Sequence, residues 1–307
     1  MAPSTVRTRQ VQWKSYLEFC GEFGFVPLPA SPQILSLYVA HLFDGLEFSS
    51  INNYLAAVAP LHINYNFAPP DLSHPLIRSA LDGARRQRTE YPHQKRAITA
   101  AILKLIASHL AVIDQPMRDL FWAAAIVAFL SLLRSANLFA APRSARFLKS
   151  SDVQITDASA LLTVQVLKTS RFKECKSQVH LPRISGAKYC PVVWLRRILR
   201  PHQPRGRDPL FSRRLSGNLQ VMTAARFTGY LKKVLTAAGL DPSAYSIHSF
   251  RRGGATFAVE SGASVEAVKV QGNWRSDCYQ KYVKREDKLR AEFAAAMAAG
   301  IDTCCRR

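Results

Sequence analysis

The chain has 307 residues, enough for one large domain or two ordinary ones, and its 48% hydrophobic content excludes a chain that is disordered throughout. Its 42 Lys and Arg residues outnumber 21 Asp and Glu residues, which gives a net charge of +21 and a pI near 10.1. Such an excess predicts a polyanionic partner, and no apolar run approaches the roughly 18 to 20 residues that would span a bilayer. We therefore expect a nucleic-acid partner and no membrane association.

The N-terminus shows no secretory signal, and the six cysteines form no CxxC pair and no Cys/His cluster with zinc-ligand spacing. The simplest interpretation is an intracellular protein with free thiols and no metal site.

Residues 1–90 predict a small helical domain. Four segments place apolar residues at helical spacing without period-two alternation, and Ser31 followed by Pro32 is typical of a helix start. The segments are VQWKSYLEFCGEFG, SPQILSLYVAHLFDG, SSINNYLAAVAPLHINY and HPLIRSALDGARRQR.

Residues 91–97 are polar, basic and contain Pro92, as expected for a linker between domains. The basic residues in and just before it are candidates to follow a phosphate backbone, although a solvated charge run explains them equally well. They are Arg85, Arg86, Arg88, Lys95 and Arg96.

Residues 98–307 predict a second domain that is mainly helical with a small antiparallel sheet. Apolar helices come first, including the buried FWAAAIVAFLSLL, and helices such as LQVMTAARFTGYLKKVLTAAG return later. Between them lie three short segments rich in Val, Ile, Leu and Thr, which predict a three-stranded antiparallel sheet. They are SDVQIT, SALLTVQVLKTS and KSQVHLPRI.

A few residues of this second domain point to chemistry on an anion. His248 and Arg251 are three apart and share one face of a helix, and Gly253 and Gly254 follow them although glycine weakens a helix. Arg134 ends an apolar helix, where a half-buried guanidinium needs an anion. In chain order the set is Arg134, Lys168, His248, Arg251, Trp274 and Tyr282.

This order resembles the tyrosine recombinase, or phage integrase, family. The resemblance covers the second domain, while the helical first domain resembles the family's core-binding domain at the level of fold only. HSFRRGGAT and GNWRSDCYQKYV are also similar to recombinases of eukaryotic mobile elements of the crypton and DIRS types. The resemblance implies a site-specific DNA recombinase that acts on double-stranded DNA without metal or nucleotide cofactor, in the nucleus if the host is eukaryotic.

The resemblance also implies a role for each residue. Arg134 and Arg251 would clamp the non-bridging phosphate oxygens, and His248 would hold a proton or donate to the phosphate. Lys168 would protonate the leaving 5′ oxygen, and Tyr282 would attack phosphorus to form a 3′-phosphotyrosine.

Two positions depart from the family pattern. Asn137 stands where the family has an acidic residue, and Asn273 stands where many members have His. We favour Trp274 in the role of that His, because an indole N–H can donate to a phosphate while the ring packs on a helix, although a core residue is the alternative.

Two assignments have a competitor nearby. Tyr279 competes with Tyr282 as nucleophile, and Tyr282 is favoured by its distance from Arg251 along the chain. Lys173 competes with Lys168, whose Lys-Thr sequence matches the family better, so Arg171 and Lys173 are predicted to contact the phosphate backbone.

Leu289, Phe293 and Met297 form one apolar stripe after Tyr282. The stripe packs either on its own core or, as the resemblance implies, on a neighbouring protomer of a homotetramer on DNA. A catalytically inactive DNA-binding descendant and a type IB topoisomerase-like enzyme remain the alternative functions.

Overall fold

The computed structural model describes residues 3–87, 95–141, 147–166, 175–199 and 206–274. The chain divides into two compact units, Met1–His93 and Gln94–Arg307, which we call the N-terminal and C-terminal units. Each unit has its own hydrophobic core. The described residues are mainly helical with small antiparallel sheets, which confirms the predicted fold class. The division of function between a DNA-binding and a catalytic domain stays a prediction.

The N-terminal unit is all-helical over the residues that the structure describes. Its helix α2 begins as predicted, because the Ser31 side chain accepts a hydrogen bond from the Ile34 amide at 3.2 Å and Pro32 follows the cap. The third predicted helix is interrupted at Ala57, and Pro60 then lies in the first turn of a new helix, where its missing N–H costs nothing. The helices are α1 (Pro3–Glu22), α2 (Pro32–Phe43), α3 (Phe48–Ala56), α4 (Val58–Asn64) and α5 (Pro75–Gln87).

A buried histidine joins two segments of this unit. His62 is only 1% exposed, and its Nε2 accepts the Ala30 amide at 2.8 Å while Nδ1 lies 2.9 Å from the Val58 carbonyl. Because Nε2 accepts, Nδ1 carries the proton and the ring is neutral. The N-terminal unit therefore buries this polar side chain without burying a charge.

The C-terminal unit places helices around a small sheet. Over the described residues, its helices are α6 (Ala100–Ser108), α7 (Met117–Ser131), α8 (Ser135–Leu138), α9 (Pro191–Leu199), α10 (Ala224–Ala237), α11 (Ile247–Glu260) and α12 (Val265–Gly272). Its strands are β1 (Val153–Ile155), β2 (Ser159–Val166), β3 (Cys175–Pro182), β4 (Ser212–Leu215) and β5 (Asn218–Val221).

The predicted three-stranded sheet is confirmed. Strand β2 lies between β1 and β3 and is antiparallel to both, with Leu162 opposite Val153 on one side and opposite Val179 on the other. Helix α7 is buried along most of its length, including Phe121 and Trp122, as expected for an apolar core helix. Among the described helices, none is long and apolar enough to cross a membrane.

The helix predicted from Leu219 onward begins later than expected. Residues up to Val221 form strand β5, which pairs with β4, and α10 starts at Ala224 behind Thr223, whose side chain accepts from the Arg226 amide at 3.2 Å. Ser216 and Gly217 have φ values of +48° and +83°, so a tight turn connects the strands. The Ser-Gly pair was the signal of this hairpin.

Candidate active site

Helix α11 presents His248 and Arg251 in its first two turns. Ser246 caps the helix through reciprocal bonds with Ser249, whose side chain accepts from the Ser246 amide at 3.0 Å. His248 is exposed, whereas Arg251 is only 2% exposed. One residue of the pair therefore faces solvent, and the other lies inside the unit.

The glycine pair explains how close α11 lies to its neighbours. A Cβ added at Gly253 would meet the Ile98 carbonyl oxygen at 1.8 Å, and one at Gly254 would meet the Phe129 carbonyl oxygen at 1.9 Å. Both obstacles are backbone atoms, so no side-chain movement relieves them. The two glycines therefore allow α11 to pack directly against these two backbone segments.

Arg251 cross-links the ends of two other helices. Its Nη1 donates to the Leu132 carbonyl after α7, and its Nη2 donates to the Gly272 carbonyl at the end of α12, at 2.8 Å. Its Cζ lies 3.9 Å from the centroid of the Trp274 ring, within cation–π range. The buried guanidinium thereby fixes the backbone just before Arg134 and just before Trp274.

Trp274 is held over Arg251 by the way α12 ends. Asn273 has a φ of +51°, a left-handed conformation that asparagine tolerates, and the Trp274 amide donates to the Lys269 carbonyl at 3.0 Å. A Cβ added at Gly272 would meet the indole at 2.0 Å. Asn273 thus serves the helix end, and Trp274, 7% exposed, is the side chain that reaches the site.

Arg134 lies between α7 and α8. Leu132 ends α7 with a φ of +55°, and Arg134 caps α8, where its carbonyl accepts from the Asn137 amide at 2.8 Å. The Arg134 side chain is half-buried, and within the described part of the chain its guanidinium has no hydrogen bond or ion pair. An unpaired, half-buried guanidinium favours an anion as its ligand.

The positive charges of three arginines act on His248. Although the His248 side chain is exposed, neighbouring protein atoms partly desolvate the ring and lower its pKa below its usual value, and the charges of Arg251, Arg252 and Arg134 lower it further. The ring is therefore neutral over a wider pH range than an isolated histidine. A concentration of positive charge around a neutral imidazole is suited to an anionic ligand, which would also favour the protonated ring.

The structure describes the other predicted residues only in part. Arg85 and Arg86 are exposed in the last turn of α5, and Arg96 is exposed in the C-terminal unit. Lys95 is exposed as well, and its Nζ donates to the Ser243 carbonyl at 2.7 Å. The remaining predicted residues lie outside the described residues, and they are Arg88, Lys168, Arg171, Lys173, Tyr279, Tyr282, Leu289, Phe293 and Met297.

Sequence reasoning missed Arg252. Its Nη1 donates to the Lys95 carbonyl, and the Arg96 and Ile98 amides donate to the carbonyls of Ala244 and Ser249, at 2.6 and 3.0 Å. Residues 95–97 of the predicted linker, together with Ile98, therefore lie along the start of α11. The adjacent Arg-Arg pair was the available signal for a second cation beside His248.

Taken together, the described site is cationic and built on backbone contacts. Within the described ranges, no group of three or more His, Cys, Asp or Glu side chains has the arrangement of a metal site. The arginines and the imidazole are donors suited to the oxygens of a phosphate or a similar anion.

No protein-family model matches the chain. A curated relative, an integrase/recombinase xerD homolog from Selenomonas ruminantium, is 23% identical over 285 residues, which are 90% of this chain and 80% of the relative.

Solved structures match the chain over most of its length. An integrase of the Tn1549 transposon, residues 82–397 in complex with circular intermediate DNA, gives a TM-score of 0.67 at 15% identity, over 96% of this chain and 94% of that chain. The XerH site-specific recombinase bound to its palindromic difH substrate gives a TM-score of 0.64 at 15% identity, over 96% of this chain and 80% of that chain.

A lambda integrase dimer bound to a COC′ core site, residues 75–356, gives a TM-score of 0.60 at 13% identity, over 92% of this chain and 89% of that chain. The finer resemblance to crypton and DIRS recombinases stays a prediction. The fold of the chain is similar to that of these recombinases and integrases, and the sequence relative is itself an integrase/recombinase homolog, in agreement with the resemblance seen in the sequence.

Proposed function

We propose that the protein is a site-specific recombinase that cleaves and rejoins double-stranded DNA through a 3′-phosphotyrosine intermediate. The observation that carries the proposal is the cationic site, in which the charges of Arg134, Arg251 and Arg252 converge on His248. The DNA-bound recombinases with the same fold support duplex DNA as the anionic partner.

The proposed reaction is an in-line displacement at phosphorus. The Tyr282 oxygen attacks as its proton passes to the neutral His248 ring, and the bond from phosphorus to the 5′ oxygen breaks. Lys168 supplies the proton that the leaving oxygen takes up. Arg134 and His248 stabilise the charge on the non-bridging oxygens. Side chains supply all of these roles, so the proposal includes no metal or nucleotide cofactor.

Arg251 has a double role in this proposal. Its two contacts to carbonyls and its stacking on Trp274 set the positions of the turns that carry Arg134 and Trp274. Its charge adds to the field at the phosphate, with Trp274 as the proposed indole donor.

The proposed assembly is a homotetramer on DNA, held together by the apolar stripe of Leu289, Phe293 and Met297. The exposed basic residues Arg85, Arg86, Lys95 and Arg96, together with Arg88, Arg171 and Lys173, are proposed to contact the phosphate backbone.

Covalent capture tests the proposal. The wild-type protein and Tyr282→Phe would be expressed side by side, denatured, and the covalently attached DNA ends sequenced. We expect attached DNA on the wild type only, recurring at one sequence, because the phenolic oxygen is the nucleophile. Tyr279→Phe is the matched control and should retain attachment.

Each other outcome has a definite meaning. Attachment that persists in Tyr282→Phe and disappears in Tyr279→Phe would move the nucleophile to Tyr279. Tight noncovalent binding without attachment in any variant would replace the proposal with an inactive DNA-binding protein. Nicking and resealing without strand exchange between two duplexes would indicate a topoisomerase-like enzyme.

A further inference from the structure

The hairpin formed by β4 and β5 exposes a face that carries one arginine and no carboxylate. Ser212 is fully buried, so Arg213, the next residue, lies on the opposite face of the strand. The register pairs Arg213 with Gln220 and Leu215 with Asn218, and these four residues share that face. Within the described residues, no carboxylate forms an ion pair with Arg213.

The two adjacent arginines of β4 are in different situations. Arg214 forms an ion pair with Asp208, with Nη2 to Oδ2 at 2.9 Å. Arg213 is half-buried, and its Nε is shielded from solvent without a hydrogen-bond partner in the described part of the protein. A buried N–H without a partner is unfavourable, so folding alone does not account for this guanidinium.

The base of the hairpin is attached to the segment that carries Arg134. The Leu148 amide donates to the Asn137 carbonyl at 2.7 Å, and the Leu210 amide donates to the Leu148 carbonyl at 2.9 Å. The rings of Phe139 and Phe211 pack with centroids 6.0 Å apart. The hairpin is thus built onto the same framework as the candidate active site.

We propose that this face of the hairpin binds the DNA backbone, with Arg213 paired to a phosphate and Gln220 beside it as a second donor. The inference rests on the proposed function, because it takes duplex DNA as the partner. Arg213 supplies the charge, and an amide such as Gln220 commonly donates to phosphate oxygens.

The salt dependence of DNA binding tests this contact. Full-length wild type, Arg213→Ala and Arg213→Lys would be titrated with duplex DNA by fluorescence anisotropy over a range of salt concentrations. Loss of one phosphate contact should reduce the slope of log Kobs against log salt by about 0.9. We expect Arg213→Ala to bind roughly tenfold more weakly at low salt, as for one charge-assisted hydrogen bond, and Arg213→Lys to fall between.

Arg183→Ala is the matched control, because it removes the same charge from an exposed side chain that already donates to the Asp157 carbonyl at 3.2 Å. Its slope should stay at the wild-type value. Thermal unfolding should show no loss of stability in Arg213→Ala, since the guanidinium has no hydrogen bond or ion pair to lose among the residues that the structure describes.

An unchanged slope and affinity for Arg213→Ala would overturn the inference while leaving the proposed function intact. Equal losses in Arg183→Ala and Arg213→Ala would also overturn it, because the effect would then be general electrostatics. Failure of the wild-type protein to bind duplex DNA would instead reject the proposed function.

Discussion

The two units of the molecule differ sharply in charge. Residues 1–93 contain seven Lys and Arg and seven Asp and Glu, so the other 35 basic and 14 acidic residues, and the whole net charge of +21, belong to the C-terminal unit. A long-range attraction for a polyanion therefore comes from the C-terminal unit. Any contact of the N-terminal unit with DNA must depend on local clusters such as Arg85 and Arg86.

The units also differ in how they bury polar side chains. The N-terminal unit buries His62, which is neutral and satisfied by the backbone of Ala30 and Val58. The C-terminal unit buries the cation Arg251, which is held by two carbonyls and an indole ring. The buried group stabilises the fold in the first case, whereas in the second a buried charge lies beside the proposed site for a phosphate.

The largest expected effect contrasts two glycines of the C-terminal unit that pack against backbone with one glycine in each unit that has open space around it. Gly253→Ala or Gly254→Ala should destabilise the C-terminal unit by about 3 kcal/mol or more, because each new Cβ meets a backbone oxygen closer than 2 Å. Gly83→Ala in α5 and Gly229→Ala in α10 meet nothing within 4 Å and should stabilise by about 0.5–1 kcal/mol. Chemical denaturation, with hydrogen exchange followed in each unit, measures the loss and the gain of stability. Equal effects at all four glycines would contradict the close packing at Gly253 and Gly254.

The next effect tests Arg251 as a cross-link. Arg251→Met keeps much of the volume but leaves the Leu132 and Gly272 carbonyls without their donor, and should cost about 2–4 kcal/mol. Arg251→Lys keeps the charge but cannot span both carbonyls, so covalent DNA capture should fall by about 100-fold or more while most of the stability remains. Capture at the wild-type level in Arg251→Lys would show that a point charge suffices there.

A smaller effect is expected in the N-terminal unit. His62→Phe should cost about 1–3 kcal/mol, because the buried Ala30 amide loses its acceptor. Hydrogen exchange should accelerate at Ala30 and its neighbours and stay unchanged in α7. His62→Gln, which retains an acceptor, is the matched control and should lose less. Equal losses in both variants would show that the hydrogen bond contributes little.

The smallest effect is a pH dependence of DNA affinity. The pKa of His248 is lowered in the free protein by desolvation and by three arginines, and a bound phosphate should raise it. The complex then binds more protons than the free protein. DNA affinity should therefore increase as pH falls through the His248 pKa of the complex, and it should level off below the His248 pKa of the free protein. Between the two pKa values the affinity should change by at most about tenfold per pH unit. His248→Gln should lose this dependence, and a wild-type affinity that does not change from pH 8 to 5 would contradict it.

Much of the fold followed from local patterns. Helical spacing, the Ser31 cap and the segments rich in β-branched residues predicted the helices and the three-stranded sheet, because these signals act over a few residues. The hairpin of β4 and β5 was missed, since Leu219–Val221 continues into a helical pattern and the short Ser-Gly turn was the only signal of a strand.

Some features of the candidate site likewise follow from the sequence, and others depend on the tertiary structure. By itself, the sequence determined the helical and sheet elements, the excess of positive charge and the residue types of the site, among them Arg134, His248 and Arg251. Tertiary structure alone decided that Arg251 is buried on the carbonyls of Leu132 and Gly272, that Trp274 covers it, and that Arg252 joins the charges around His248. These contacts join residues up to 119 positions apart, and no local pattern of polarity encodes which distant carbonyl a guanidinium will meet.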